Sequence, residues 1–267
     1  MSLSPRVIGF LRAYDALADS CAQYPWGTVT RSPRLPHLRD ANRTWVYSPP
    51  TPTLAQLQAA AATAQRVCAV PFTYVEVIDT DAHTALLSEL EGWLGPPRDR
   101  FVFMEIEGAP TPARPLANVT LKDQPFPDRR RWVELLVAGH AGEDAPPPGV
   151  LEELALRDAG PLAAAGARLF TAERHGQVAA YASLLSLNRV GLVDHVATLP
   201  VHRRQGLAGC LVGAVIAASA AAGNRTTCLV TRAAGDALRV YRRLGMDVVA
   251  RIGQYRADHP LGPTISA

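Results

Sequence analysis

The stretch Val196-Ala-Thr-Leu-Pro-Val-His-Arg-Arg-Gln-Gly-Leu-Ala-Gly-Cys-Leu-Val212 joins an apolar extended segment, a proline, a basic turn containing glycine, and the start of an alanine-rich helix. Pro200 has no amide hydrogen and disfavours helix in the residue before it, so a strand is predicted to end near Leu199. The backbone N–H groups from Arg204 to Gly209 then fall at the start of the next helix. There they have no partner inside the helix, and the positive end of its dipole lies behind them. A turn of this kind is an anion cradle.

Working outward, extended runs are predicted at residues 168–173, 178–185 and 191–198, the first two joined by Arg174-His-Gly-Gln177, a turn suited to a hairpin. A helix over 207–222, a strand over 226–230, a helix over 236–244 and a strand over 248–255 follow. Upstream, residues 116–121 read as a strand, 128–137 as an amphipathic helix capped by Asp128, and 150–157 as a second helix. Two proline-rich stretches punctuate the chain. Gly108-Ala-Pro-Thr-Pro-Ala-Arg-Pro115 is the better linker and places a domain boundary near residue 112, while Ala145-Pro-Pro-Pro-Gly149 reads as a loop within the second half. The first half has strands at 44–47, 73–78 and 100–105 and helices at 54–66 and 81–93, the latter with cap candidates in Asp79-Thr-Asp and stops at Gly92 and Gly95. Strands alternating with helices predict an α/β class with a mixed sheet.

The residues Arg203-Arg-Gln-Gly-Leu-Ala208 resemble the pyrophosphate loop of the GNAT superfamily of acyl-CoA-dependent N-acyltransferases, whose pattern is Arg or Gln, two residues, Gly, one residue, then Gly or Ala. Element order strengthens the match. An extended run precedes the loop, and a helix and strand follow it. Ala237-Leu-Arg-Val-Tyr-Arg-Arg-Leu-Gly-Met246 is then similar to the family's later helix, which ends in Tyr, three residues, Gly and an apolar residue. The resemblance runs over about residues 115–256. It implies a GNAT N-acetyltransferase domain over 113–267, preceded by a smaller α/β domain over 1–112, with acetyl-CoA (coenzyme A) as cofactor. The closing order of the first half is itself similar to the end of a GNAT domain, so a degenerate copy without a cofactor loop is one reading of it; a family-specific α/β cap is the other.

Acyl transfer from a thioester to an amine needs a neutral nucleophile, whereas an ordinary amine with a pKa of about 10.4 is protonated at neutral pH. A base is therefore required, and the resemblance places the family's acidic base, often acting through water, on the strand that holds Asp194 and His195. In a regular strand the two point to opposite faces, so one of them serves. Asp194 fits by chemical type and His195 by intrinsic pKa. The resemblance makes Tyr241 the general acid for the departing thiolate; the alternative is packing, with Leu238 and Leu244, in one apolar stripe. It also gives the backbone of Val196, Ala197 and Thr198 to the pantetheine arm and the oxyanion. The phosphates fall to the loop, with Arg203 and Arg204 adding charge, Gln205 a hydrogen bond, Gly206 close backbone approach, and Leu207, Ala208 and Gly209 their amides. Two departures stand out. The family often has Gly and then a basic residue where this chain has Arg204 and Gln205, and often has Asn where it has Ala234; Asp236 is then expected to cap the following helix.

Composition narrows the remaining classes. With 48% hydrophobic residues over 267 positions the chain has ample material for packed cores. A net charge of +3 is too small to argue for nucleic acid as a partner. Lys122 is the only lysine, a bias that together with abundant alanine suggests a GC-rich bacterial genome. Cys21, Cys68, Cys210 and Cys228 lack the spacing of a metal site or disulfide frame and read as small apolar residues in a cytoplasmic protein, with no export signal or membrane span. The chain also lacks the Gly-Lys-Ser/Thr ending of a nucleotide P-loop and the Gly-x-Gly-x-x-Gly dinucleotide turn. The expectation is an acyltransferase acting on a small-molecule or peptide amine, and a homodimer is compatible with it. The alternative is a non-catalytic acyl-CoA sensor.

Overall fold

The computed structural model describes residues 3–67, 70, 72–112, 116–140 and 146–257. Cys68, residues 113–115 of the linker and residues 141–145 lie outside them. The chain forms two compact units, Met1–Phe103 with Val249–Ala267, and Met104–Val248. The observed division thus differs from a single boundary near 112 by returning the last strand to the first unit. Among the described residues no helix is long and apolar enough to cross a membrane.

In the first unit, α1 (Pro5–Asp15) begins at Ser4, whose hydroxyl accepts from the Val7 amide at 3.3 Å. It is followed by β1 (Ser20–Tyr24), β2 (Gly27–Arg31), β3 (Thr44–Val46), α2 (Leu54–Val67), β4 (Thr73–Asp79) and α3 (Thr84–Leu94). β5 (Asp99–Glu107) begins in this unit and ends in the second. β1, β2 and β3 pair antiparallel, and β3 and β4 parallel. The helices predicted at 54–66 and 81–93 form, but the start of the second is a 3-10 turn over Asp81–His83 whose cap residue, Thr80, makes no side-chain capping bond. Gly95 stops α3 at φ 81°, as its position predicts. Trp26, Val29, Leu57, Val77, Leu90 and Tyr255 share the unit's apolar core.

The second unit contains β6 (Thr120–Pro125), α4 (Arg129–Gly139), α5 (Pro148–Arg157), β7 (Arg168–Arg174), β8 (Gln177–Leu187), β9 (Val190–Thr198), α6 (Leu207–Ala221), β10 (Thr226–Arg232) and α7 (Asp236–Arg243). β11 (Asp247–Ala257) then pairs antiparallel with β4 of the first unit, from Arg251 opposite Asp79 to Ala257 opposite Thr73. β6 to β9 form an antiparallel meander, and β10 joins β9 in parallel. The hairpin turn between β7 and β8 places both His175 (φ 50°) and Gly176 (φ 75°) in the left-handed region, the primed geometry that suits twisted strands. α4 is capped as predicted, the Asp128 carboxylate accepting from the Arg131 amide at 3.0 Å.

The strand expected at 116–121 lies at 120–125 instead. Its exposed edge carries Lys122, which pairs with Glu173 at 2.7 Å, and Asp123, which pairs with Arg168. Charges on an edge strand deter further pairing, and they also hide it from an apolar reading. Behind the sheet, Trp132, Leu136, Leu151, Ala155, Leu169 and Tyr181 form a core between α4, α5 and the strands. α6 packs through Leu207, Leu211, Val212, Val215 and Ile216.

Candidate cofactor cleft and active site

β9 ends at Thr198, and Pro200 opens a 3-10 turn, Pro200–His202, that carries the chain to the start of α6. Arg204 (φ 62°) and Gly206 (φ 80°) both take left-handed backbone, which turns the chain sharply enough for α6 to begin at Leu207. A methyl group at Gly206 would meet Leu116 at an ordinary 3.6 Å, so glycine is needed there for its backbone and not for space. The Cys210 amide is the first bonded back into the helix, to the Gly206 carbonyl at 3.1 Å. The amides of Leu207, Ala208 and Gly209 consequently face outward at the positive end of the helix.

They open into a cleft of about 650 Å³, within the range of small-molecule and cofactor sites. Val196, Ala197, Thr198, Arg203, Arg204, Gly206, Leu207, Ala208, Gly209 and Tyr241 all line it. Gln205 is not in the lining; its amide oxygen accepts from Arg174 and its amide nitrogen donates to the Val201 carbonyl at 3.4 Å, which ties the loop to the β7–β8 hairpin. Arg203 donates through Nε to the Thr198 carbonyl at 3.1 Å and through Nη2 to Gly139 at 3.3 Å, so part of its hydrogen-bonding capacity fixes the cleft wall. Arg204 stands 3.9 Å from Asp236. Asp236 is the first residue of α7 and not its cap, which is Gly235; its carboxylate pairs with Arg239.

Sequence reasoning missed Gly139, His140, His202, Arg239, Val240 and Arg243, which also line the cleft. The signal for the last three was present. Asp236, Arg239, Val240 and Arg243 recur at helical spacing on one face of α7. His140, beyond the end of α4, had none; its pKa is lowered by burial and by the charge of His195.

Tyr241 is 6% exposed, and burial, with a further push from Asp194, raises its phenol to about 12. It is therefore a proton donor throughout the neutral range. Asp194 and His195 lie at a β-bulge. Ser183 of β8 faces Asp194 and Tyr181 faces Ala197, so His195 and Val196 together oppose Ala182, and His195 takes φ 52°. The alternation that would send Asp194 and His195 to opposite faces is broken here, and Asp194 Oδ2 lies 3.7 Å from His195 Nε2. The Asp194 side chain is 44% exposed, with Oδ1 accepting from the His195 amide at 2.8 Å. The His195 ring is 7% exposed and bonds through Nε2 to Asp158 at 2.9 Å. Neither residue is in the cleft lining among the described residues. Left-handed backbone on a non-glycine residue costs about 1–3 kcal/mol and persists where its surroundings over-determine it.

The sequence profile described as the acetyltransferase (GNAT) family matches residues 130–246. A search of curated proteins finds no match. Among solved structures, the fold is similar to a GCN5-related N-acetyltransferase from Kribbella flavida, at 18% identity and a TM-score of 0.69, covering 98% of this chain and 97% of that one. It is also similar to a protein titled a putative acetyltransferase of the GNAT family from Novosphingobium aromaticivorans (17% identity, TM-score 0.56, 94% and 95% covered). A tandem GNAT protein from the clavulanic acid biosynthesis pathway matches at 17% identity and a TM-score of 0.58, over 79% of this chain and 70% of its own. Coverage of this extent takes in the first unit, which shares the likeness in fold. Residues 130–246 therefore match the acetyltransferase (GNAT) family model, in a chain whose fold is GNAT-like over nearly its whole length.

Proposed function

We propose that the chain is an N-acetyltransferase that takes its acetyl group from acetyl-CoA and delivers it to a primary amine by direct attack. The observation that carries this reading is one continuous cleft lined by Val196–Thr198, by Arg204 and Gly206–Gly209 of the turn, and by Tyr241. The turn has the donor set a diphosphate requires, with outward amides and Arg203, Arg204, Arg239 and Arg243 around them. The strand end offers amides to the pantetheine arm and to the developing oxyanion. Bound there, the cofactor supplies an electrophilic thioester carbon and a thiolate leaving group.

The residues divide the proton work between them. Tyr241 donates its phenolic proton to the leaving sulfur, since burial keeps that proton in place until charge develops. Asp194, with its half-exposed carboxylate, draws the proton from the incoming amine through water. His195 is poorly suited to that task. Burial disfavours its charged form, the carboxylates of Asp158 and Asp194 raise its pKa above the ordinary value, and its Nε2 is already engaged with Asp158 at 2.9 Å.

The test is release of free CoA thiol from acetyl-CoA across a panel of primary amines, beside calorimetry with acetyl-CoA alone. Thiol release dependent on one class of amine supports the enzyme. A second reading, a non-catalytic acyl-CoA sensor, draws on the absence of Asp194 and His195 from the described cleft lining. It predicts heat of binding with no thiol release for any amine. No heat at all removes both.

A further inference from the structure

Behind the bulge of β9 lies a cluster of charged and aromatic side chains that none of these roles uses. α5 does not pass directly into the loop before β7; it runs into a π-helical turn over Asp158–Leu162, with Pro161 inside it. π turns are rare and concentrate at functional sites. This one leaves Asp158 fully buried, with both carboxylate oxygens occupied. Oδ1 accepts from Arg157 Nε at 3.0 Å, and Oδ2 accepts from Trp132 Nε1 at 2.9 Å and from His195 Nε2 at 2.9 Å. Trp132 also meets the His195 ring edge to face, with centroids 5.7 Å apart at 85°.

We propose that Asp158 is a positioning residue that clamps the β9 bulge through His195 and thereby aims the Val196–Thr198 amides into the cleft. The inference rests on the reading of that cleft as an acetyl-CoA site. Three elements that are distant in sequence converge on the single left-handed residue of β9: α4 through Trp132, the π turn through Asp158, and α5 through Arg157. The residues next in the chain, Val196 to Thr198, line the cleft. Releasing the ring frees His195 to return to extended backbone. That slips β9 by one residue against β8 and turns the following amides to the other face.

The hydrogen on Nε2 is what makes the clamp. The Asp158 carboxylate can only accept, so at 2.9 Å Nε2 must carry that hydrogen, and Arg157 Nη2, 3.1 Å from the same nitrogen, is left to donate to the carboxylates. The groups that face His195 are Asp158 from the π turn, Arg157 from α5, Asp194 from its own strand and His140 beyond α4, while Tyr181 of β8 faces Asp158. Two carboxylates against one guanidinium favour the imidazolium, despite burial. Once the imidazolium has lost its proton, Nε2 can accept from Arg157 in place of donating to Asp158, so affinity for the pantetheine part of the cofactor should fall as pH rises through the His195 titration, while the phosphate turn, held by Arg174 and Val201, is unaffected.

The experiment compares the full-length wild type with Asp158→Asn by calorimetry between pH 6 and 9, using acetyl-CoA and, separately, adenosine 3′,5′-bisphosphate, which lacks the pantetheine arm. The inference expects acetyl-CoA to bind the variant about tenfold more weakly at pH 6, with the wild type approaching the variant as pH rises. The bisphosphate should bind both proteins alike, which a general loss of structure would not allow. Equal acetyl-CoA affinity with the same pH profile in both overturns the clamp. Should Asp158→Asn fail to fold, His195→Gln, which keeps a neutral donor for Asp158, is expected to bind acetyl-CoA with no pH dependence in this range; the wild-type dependence in that variant overturns the inference. If the wild type binds no acetyl-CoA, the cofactor reading falls and NMR of the ligand-free protein decides the clamp by itself. The Val196–Thr198 amide shifts should follow the His195 titration in wild type and lose it in Asp158→Asn, and shifts indifferent to that titration overturn it.

Discussion

Gly206 and Tyr241 carry the two most direct tests at the level of single side chains. Gly206→Ala places a β-carbon on a residue at φ 80° and should lower stability by about 1 kcal/mol in urea unfolding, with weaker acetyl-CoA binding because the turn relaxes. Tyr241→Phe removes only the phenolic oxygen from a buried ring. Thiol-release kinetics should show kcat lowered by about 10²-fold or more, with acetyl-CoA affinity by calorimetry unchanged. The places of both residues in the fold were readable in the sequence. A glycine after a basic turn and a tyrosine four residues before a second glycine are local patterns, fixed by the backbone they need. His195 was not readable in the same way. Left-handed backbone on a histidine within a strand has no sequence signature, and its partner Asp158 sits beside Arg157 in a pair that reads as a solvated helix end.

At the scale of elements, α4 depends on a close approach that its sequence does not advertise. Gly139, its last residue, faces the ring of Tyr181. A β-carbon there would stand 2.2 Å from the hydroxyl and 2.8 Å from the ring carbon bearing it, and Tyr181 is fully buried. Gly139→Ala should therefore cost about 1–3 kcal/mol, read as a lower urea midpoint with an unchanged slope. By contrast, the start of α4 follows from Asp128 and its helical spacing, and the β7–β8 hairpin from His-Gly. β2 escaped notice because its buried side chains are polar. Thr28 bonds to Asp15 and Thr30 to the Arg43 carbonyl, so a fully buried strand carries a mixed pattern that periodicity cannot register.

Across the whole molecule, buried charge decides how each unit responds to mutation and acid. In the first unit Arg43 lies between Asp15 at 3.0 Å and Glu76 at 2.8 Å, stacked 3.9 Å over Trp45. Arg43→Met should lower stability by about 3–5 kcal/mol in denaturant unfolding, since it leaves two buried carboxylates without their cation. In the second unit burial opposes ionisation of Asp158, but His195 and Arg157 outweigh it and draw the carboxyl down to about 2, a contribution of about 2 kcal/mol. A lowered carboxyl pKa stabilises above its unfolded value of 3.8 and is lost as pH falls toward 2; the raised His195 pKa stabilises below 6.5 and is lost as pH rises through its folded value. The stability gap between wild type and Asp158→Asn should accordingly be widest between those two values and narrow on either side. Nothing local announced that β11 belongs with β4, because strand pairing across so long a separation leaves no trace in either segment. That pairing has a consequence for synthesis. The ribosome completes residues 104–248 before it supplies the strand that finishes the first unit, so that unit must wait, partly built, until residues 249–257 emerge, and the order of maturation of the two units reverses the usual one from front to back.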